Sequence, residues 1–171
     1  FYKNREQVLR IFAGLDRSLA RRLVMLGPKP TASLLEMAGQ LDLHDSVEWH
    51  EDAGDETLAE WYRRATVLVF PSLYEGYGWP VLEAMALGLP VVSSNAGSLP
   101  EVAGNAAPCV SPGDIDGFVR EIEALLLSPG LAGSRRAQGL ERASRFNLER
   151  FALEMSEAYQ MASERNPGAK N

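Results

Sequence analysis

The chain has 171 residues, 46% hydrophobic and 23% charged, which is the size of one ordinary domain with enough apolar material for a sizeable core. A net charge of -6 gives no general attraction to nucleic acid or anionic lipid, so nucleic acid is not an expected partner. The single cysteine, Cys109, cannot form an intramolecular disulfide, no apolar run approaches the roughly 20 residues of a membrane span, and no signal-peptide pattern opens the chain, so a cytoplasmic location is expected.

Asn4 reads as an N-cap with Gln7 three residues on, and Val8, Ile11, Phe12 and Leu15 follow at helical spacing, which predicts a helix over 4–15. The apolar run 22–26 predicts a strand ended by Gly27-Pro28, residues 30–41 a helix, and 46–50 a second strand. Asp55 can cap a helix that places Leu58, Trp61, Tyr62 and Ala65 on one face and leads into a buried-type strand over 66–70. After Pro71 a glycine-rich loop runs to Pro80, well placed as a first helical residue, and Gly88 stops that helix before a strand over 90–94. A turn over 98–102, a small strand near 107–110 and a helix with Ile115, Phe118, Val119, Ile122 and Leu126 inward come next. Two further helices, 133–145 and 148–164, precede a polar tail expected to fray.

Short continuous apolar strands separated by amphipathic helices predict a doubly wound α/β domain, a parallel sheet covered on both faces, over residues 1–165, with 166–171 as a disordered tail. A helix starting at residue 4 should be fed by a strand that these residues do not contain, with Phe1 and Tyr2 as its last residues, and a first residue of Phe points to a piece of something longer. In the strand order 3-2-1-4-5-6 that first strand, missing or truncated, would lie in the middle of the sheet.

The order also predicts the site. Ligands of such sheets bind where the loop after strand 1 faces the loop after strand 4, which here brings Lys3 opposite the loop 72–80. Free backbone N–H groups from Tyr77 to Val81, with Gly76 and Gly78 allowing close approach, suit a phosphate; a glycine-rich turn with no ligand is the plain alternative. Glu75 lies in the loop and Glu83 in the first helical turn, where a carboxylate is also an ordinary helix-dipole partner. Carboxylates accept hydrogen bonds in pairs, and vicinal hydroxyls of a ribose or hexose are matching donors, so two acids beside a phosphate cradle read as sugar-nucleotide recognition. His44, His50 and Cys109 form no metal-ligand spacing, and Cys109 reads as a small core residue. Arg135, Arg136, Arg142, Arg145 and Arg150, interleaved with acids, read as a solvated face.

The run EGYGWPVLE, Glu75 to Glu83, resembles the Glu-x7-Glu motif of retaining GT-B glycosyltransferases, family 4 or group 1, of the mannosyltransferase-like kind. The likeness extends over 67–114 and, more weakly, back through LVMLGP at 23–28 to YKN at 2–4. It implies the C-terminal, donor-binding half of an enzyme built from two Rossmann-like domains. The acceptor half, the N-terminal one, is not in these residues. By that resemblance Glu75 contacts the donor sugar, Glu83 holds the ribose, and Gly76, Tyr77, Gly78, Trp79 and Val81 lie against sugar and pyrophosphate. Lys3 matches the lysine that neutralises the leaving group; the arginine that accompanies it would precede residue 1, so the chain alone is expected to be inactive. Tyr77 and Trp79 stand where the family has Phe and Leu. The resemblance further implies a nucleotide diphosphate sugar as donor, with GDP-mannose favoured, hexose transfer with retention, no cofactor and no bound metal. It implies a role in polysaccharide or lipopolysaccharide assembly, with the full-length enzyme peripheral at the inner face of the membrane. Base contacts are expected from the loops near Gly27 to Lys29 and His50 to Ala53. A nucleotide-sugar epimerase half and a non-catalytic nucleotide-binding module are the alternatives.

Overall fold

In the computed structural model, which describes residues 2–146 together with Ser156 and Met161, helices and strands alternate from the first turn onward. They are α1 (Arg5–Gly14), β1 (Leu23–Gly27), α2 (Ala32–Gln40), β2 (Val47–Glu51), α3 (Asp55–Arg64), β3 (Leu68–Phe70), α4 (Trp79–Ala86), β4 (Val91–Ser94), α5 (Leu99–Ala103), β5 (Cys109–Val110), α6 (Ile115–Leu127) and α7 (Pro129–Ser144). Local chemistry accounts for many of the boundaries. The Thr31 hydroxyl accepts from the Leu34 amide to cap α2, the Asp114 carboxylate from Gly117 to cap α6, and the Ser128 hydroxyl from Leu131 to cap α7. Gly88, at φ +73, supplies the left-handed residue that ends α4.

Four boundaries differ from the sequence expectation. Asn4 stands at the head of α1 in a left-handed conformation without capping it, because its side chain donates instead to the Pro71 carbonyl at 3.1 Å. The N-cap of α3 is Gly54, and Asp55 is the first helical residue, where it and Glu56 face the positive end of the helix dipole. Residues expected as a turn form α5, begun by Leu99 and Pro100, which brings Leu99, Val102 and Ala103 into the core. The helix expected from Gly133 starts at Pro129, since a capping serine followed by proline is a favoured start. The expected helix 148–164, with Phe151, Met155 and Tyr159 on its apolar face, and the tail 166–171 lie outside the described residues.

All strand pairs are parallel, β1 with β2 in one sheet and β3-β4-β5 in another. The pairs agree with the expected adjacency of strands 2-3 and 4-5-6, but they form two separate sheets rather than one, because no strand among the described residues joins β1 to β3. Position 1 holds no strand among the described residues. Between β1 and β3 runs a cavity of about 1710 Å³, whose walls include Val24, Leu26, Val67, Val69, Phe12 and Ile122. This explains why β3, a fully buried type of strand by composition, is only half-buried at all three residues, while β4 is buried at all four.

Both faces of the sheet are covered. Val92 joins a core built from α1, α2 and α6 around Leu9, Ile11, Phe118 and Ile122, whereas its neighbour Val91 joins a second core around Val81, Met85, Leu99 and Ala103. Among the described residues no helix is long and apolar enough to cross a membrane. Phe118 is fully buried where α6 packs on α1. Phe118→Ala is expected to lower unfolding free energy by about 3–5 kcal/mol in urea titrations, and a loss under about 1 kcal/mol would show that this core tolerates a void.

Candidate functional site

The loops at the carboxyl ends of β1, β2, β3 and β4 gather at one edge of the domain. Residues 2–4 are tied there by the Asn4 bond to Pro71 and by the Leu73 amide, which donates to the Tyr2 carbonyl at 2.8 Å. These contacts hold Lys3 over the end of β3, its ammonium 4.8 Å from the centre of the Phe70 ring. From that position Lys3 Nζ reaches Glu75 Oε1 at 2.6 Å, joining residues 72 apart in sequence.

Glu75 is the most constrained of the expected site residues. Its side chain is only 10% exposed, and the Ser72 hydroxyl donates to the same Oε1 at 3.1 Å. Ser72 is itself fully buried and accepts, through its carbonyl, from the Ser94 hydroxyl on β4 at 2.6 Å. The main chain of Glu75 is held as firmly, since both the amide and the hydroxyl of Ser98 donate to its carbonyl at 3.2 Å. Gly97, at φ +57, lets this loop pass so close that a Cβ there would lie 2.3 Å from the Glu75 carbonyl oxygen. The loop after β4 is therefore a structural part of the site.

Glu83 lies past the first turn of α4 rather than within it, because the helix starts at Trp79 and not at Pro80; it is exposed on the rim of the cavity, where its Oε2 accepts from the Tyr62 hydroxyl at 3.3 Å. Burial, with the Glu83 carboxylate beside it, pushes the Tyr62 hydroxyl far above its ordinary pKa, so it stays a neutral donor at any working pH. Lys3 and Gly27 line the same cavity, together with Pro28, Lys29, Asp52 and Ala53 from the loops after β1 and β2.

Between the two glutamates, Gly78 at φ +92 turns the chain into α4; a Cβ there would meet a Leu99 methyl at 2.7 Å. Val81 departs from the expectation of a free amide. Its N–H donates to the Gly78 carbonyl at 3.0 Å, closing the first turn, and its side chain is fully buried. The side chains of Tyr77 and Trp79 turn to each other, ring centres 4.6 Å apart, with Tyr77 edge-on to Phe146 at 6.4 Å. Gly78 is buried, whereas Gly76, Tyr77 and Trp79 are exposed and are what this segment can offer a ligand.

Sequence reasoning missed Ser72, Gly97, Ser98 and Tyr62, because none belongs to a motif readable without knowing which loops meet. Arg5 was missed too; its guanidinium donates to the Pro28 carbonyl at 2.8 Å and lies 5.4 Å from the centre of the Trp49 ring, and burial lowers its pKa. The late arginines are not simply solvated. Arg142 bonds the carbonyls of Val102 and Glu101, and Arg135 that of Asn105, pinning α7 to the α5 region, while Arg150 lies outside the described residues. His50 is a packing residue, bonded to Glu48 at 2.7 Å and 4.9 Å from the Trp61 ring. Cys109 is half-buried, and burial pushes its thiol up, away from reactivity. Among the described residues no three His, Cys, Asp or Glu side chains gather as metal ligands.

A parallel, doubly wound sheet with loops converging at its carboxyl edge defines the class: a Rossmann-like half of a GT-B fold. Anabaena HepE, solved in complex with UDP and glucose, superposes with a TM-score of 0.83 at 17% identity over 94% of this chain and 45% of its own, a likeness of fold. Residues 1–144 match the family described as Glycosyl transferases group 1, and the chain belongs to that family. Over 107 residues it is 40% identical to O-antigen chain mannosyltransferase B of Escherichia coli, covering 63% of this chain and 28% of that protein. Over 138 residues it is 34% identical to the MMP alpha-(1->4)-mannosyltransferase of Mycolicibacterium hassiacum, covering 75% of this chain and 32% of that protein. The chain thus spans about a third or less of the length of these relatives.

Gly97→Ala would force a side chain into both a left-handed backbone and the Glu75 carbonyl. It is expected to cost more than about 1 kcal/mol, read as a lowered midpoint in thermal or urea unfolding. An unchanged midpoint would mean the two loops are not in contact.

Proposed function

We propose that this chain binds the nucleotide diphosphate sugar of a retaining hexosyltransferase. The observation that carries the reading is the meeting of Lys3 and Glu75 at the carboxyl edge of the sheet, beside the N-terminus of α4. A lysine paired with a carboxylate at 2.6 Å is a cation held ready, since an entering pyrophosphate can take it over while the carboxylate turns to hydroxyl donors. Glu75 then reads the hexose and Glu83 the ribose. The main chain from Gly76 to Trp79 approaches the phosphates, and Gly27 with its neighbours lies toward the base.

In the transfer, the bond from the anomeric carbon to the phosphate oxygen breaks and its electrons pass to the pyrophosphate. An acceptor hydroxyl bonds that carbon on the same face and passes its proton to the departing phosphate oxygen. Lys3 and the amides before α4 stabilise the growing negative charge, with no metal required for that role. The acceptor is proposed to be held by a second, N-terminal domain, so this chain alone binds donor without transferring it. The names of two mannosyltransferase relatives, at 40% and 34% identity, support mannose as the hexose, and that of the O-antigen relative supports polysaccharide or lipopolysaccharide assembly; GDP-mannose as donor and a place on the cytoplasmic side of the membrane surface are proposed alongside.

Calorimetric titration with GDP-mannose and UDP-glucose tests the reading. At least one donor should bind, and Lys3→Ala should weaken it about tenfold or more, as expected for a charge-assisted contact. No detectable binding of either donor would contradict the proposal.

A further inference from the structure

Glu83 is a rim carboxylate, and a glutamate in that position ordinarily samples several rotamers. Here it is not free to do so, because a hydroxyl from another helix reaches it. Tyr62, 21 residues earlier on α3, has its ring in the second hydrophobic core, where it is 7% exposed, and donates its hydroxyl to Glu83 Oε2 at 3.3 Å. Core packing fixes the ring, and the ring fixes the direction of the donor. Among the described residues only one carboxylate oxygen, Oε2, is engaged. Tyr62, Glu83 and Pro80 line one stretch of the same cavity wall, so the remaining acceptor capacity of Glu83 lies on the cavity rim.

We infer that Tyr62 is a positioning residue for nucleotide recognition, its hydroxyl holding one oxygen of Glu83 so that the other meets the vicinal hydroxyls of the ribose. The inference rests on the assignment of Glu83 to the ribose. A bond from a neutral phenol to a carboxylate leaves the charge of Glu83 intact, so what Tyr62 supplies is orientation. Without the hydroxyl, the carboxylate must be ordered anew each time a nucleotide binds, at a cost in affinity.

The test is calorimetric titration of the chain with UDP, GDP and their 2′-deoxy counterparts, for the parent, Tyr62→Phe, Glu83→Ala and the double variant. Phenylalanine keeps the ring in the core, so the unfolding midpoint should stay near that of the parent. Tyr62→Phe should weaken the ribonucleotide about threefold to tenfold, the range of one net hydrogen bond, while leaving the 2′-deoxy counterpart nearly unaffected. Glu83→Ala should erase the preference for ribose, and adding Tyr62→Phe to it should cost nothing more. If Glu83→Ala weakens binding and Tyr62→Phe does not, the positioning role is overturned and the ribose assignment stands. If Glu83→Ala binds like the parent, or neither nucleotide binds, the assignment itself fails and the inference with it.

Discussion

A carboxylate that is nine-tenths covered must be paired, and the pairing of Glu75 organises the carboxyl edge of this domain. Its side chain takes Lys3 and Ser72, its main chain takes Ser98, and Ser72 in turn is tied to Ser94. Three separate stretches of sequence, the residues before α1, the loop after β3 and the loop after β4, are thereby joined at one residue. Lys3, the partner of Glu75, lines the cavity, whereas Glu75 itself stands behind it.

The second constraint is the gap in the sheet. Strands β1 and β3 present facing parallel edges across the cavity, and the cavity continues upward to Lys3, Gly27 and Glu83 at the rim. The rim with Lys3, Gly27 and Glu83 and the space between the two sheets are thus one continuous volume. Residues 2–4 stand at its upper end, tied to β3 through Pro71 and Leu73 rather than to β1. Whatever occupies that volume bears on the position of Lys3.

The alternation of apolar runs and amphipathic stretches made the parallel α/β fold legible, and each described strand overlaps the stretch expected from its residues. Strand order alone puts Lys3 opposite the loop that carries Glu75, because topology converts sequence separation into proximity. What stayed hidden was of two kinds. Asn4 has the sequence of a helix cap, yet a carbonyl 67 residues away competes successfully for its side chain, and no local pattern reports a distant competitor. Tyr62 looks like one more apolar position on the inward face of α3, and only the packing of α3 against α4 gives its hydroxyl a partner. Val81 was read as a ligand contact from the resemblance, whereas the first turn of α4 consumes its amide. In each case a tertiary contact decides between two locally equal readings.

The two glutamates are proposed to do different work, Glu75 reading the sugar and Glu83 the nucleotide. The most direct measurement compares Glu75→Gln with the parent chain for binding of free GDP and UDP against GDP-mannose and UDP-glucose. Nucleotide affinity should be retained while the added affinity from the sugar is lost. Equal weakening of nucleotide and nucleotide sugar, or no change in either, would contradict this division of work.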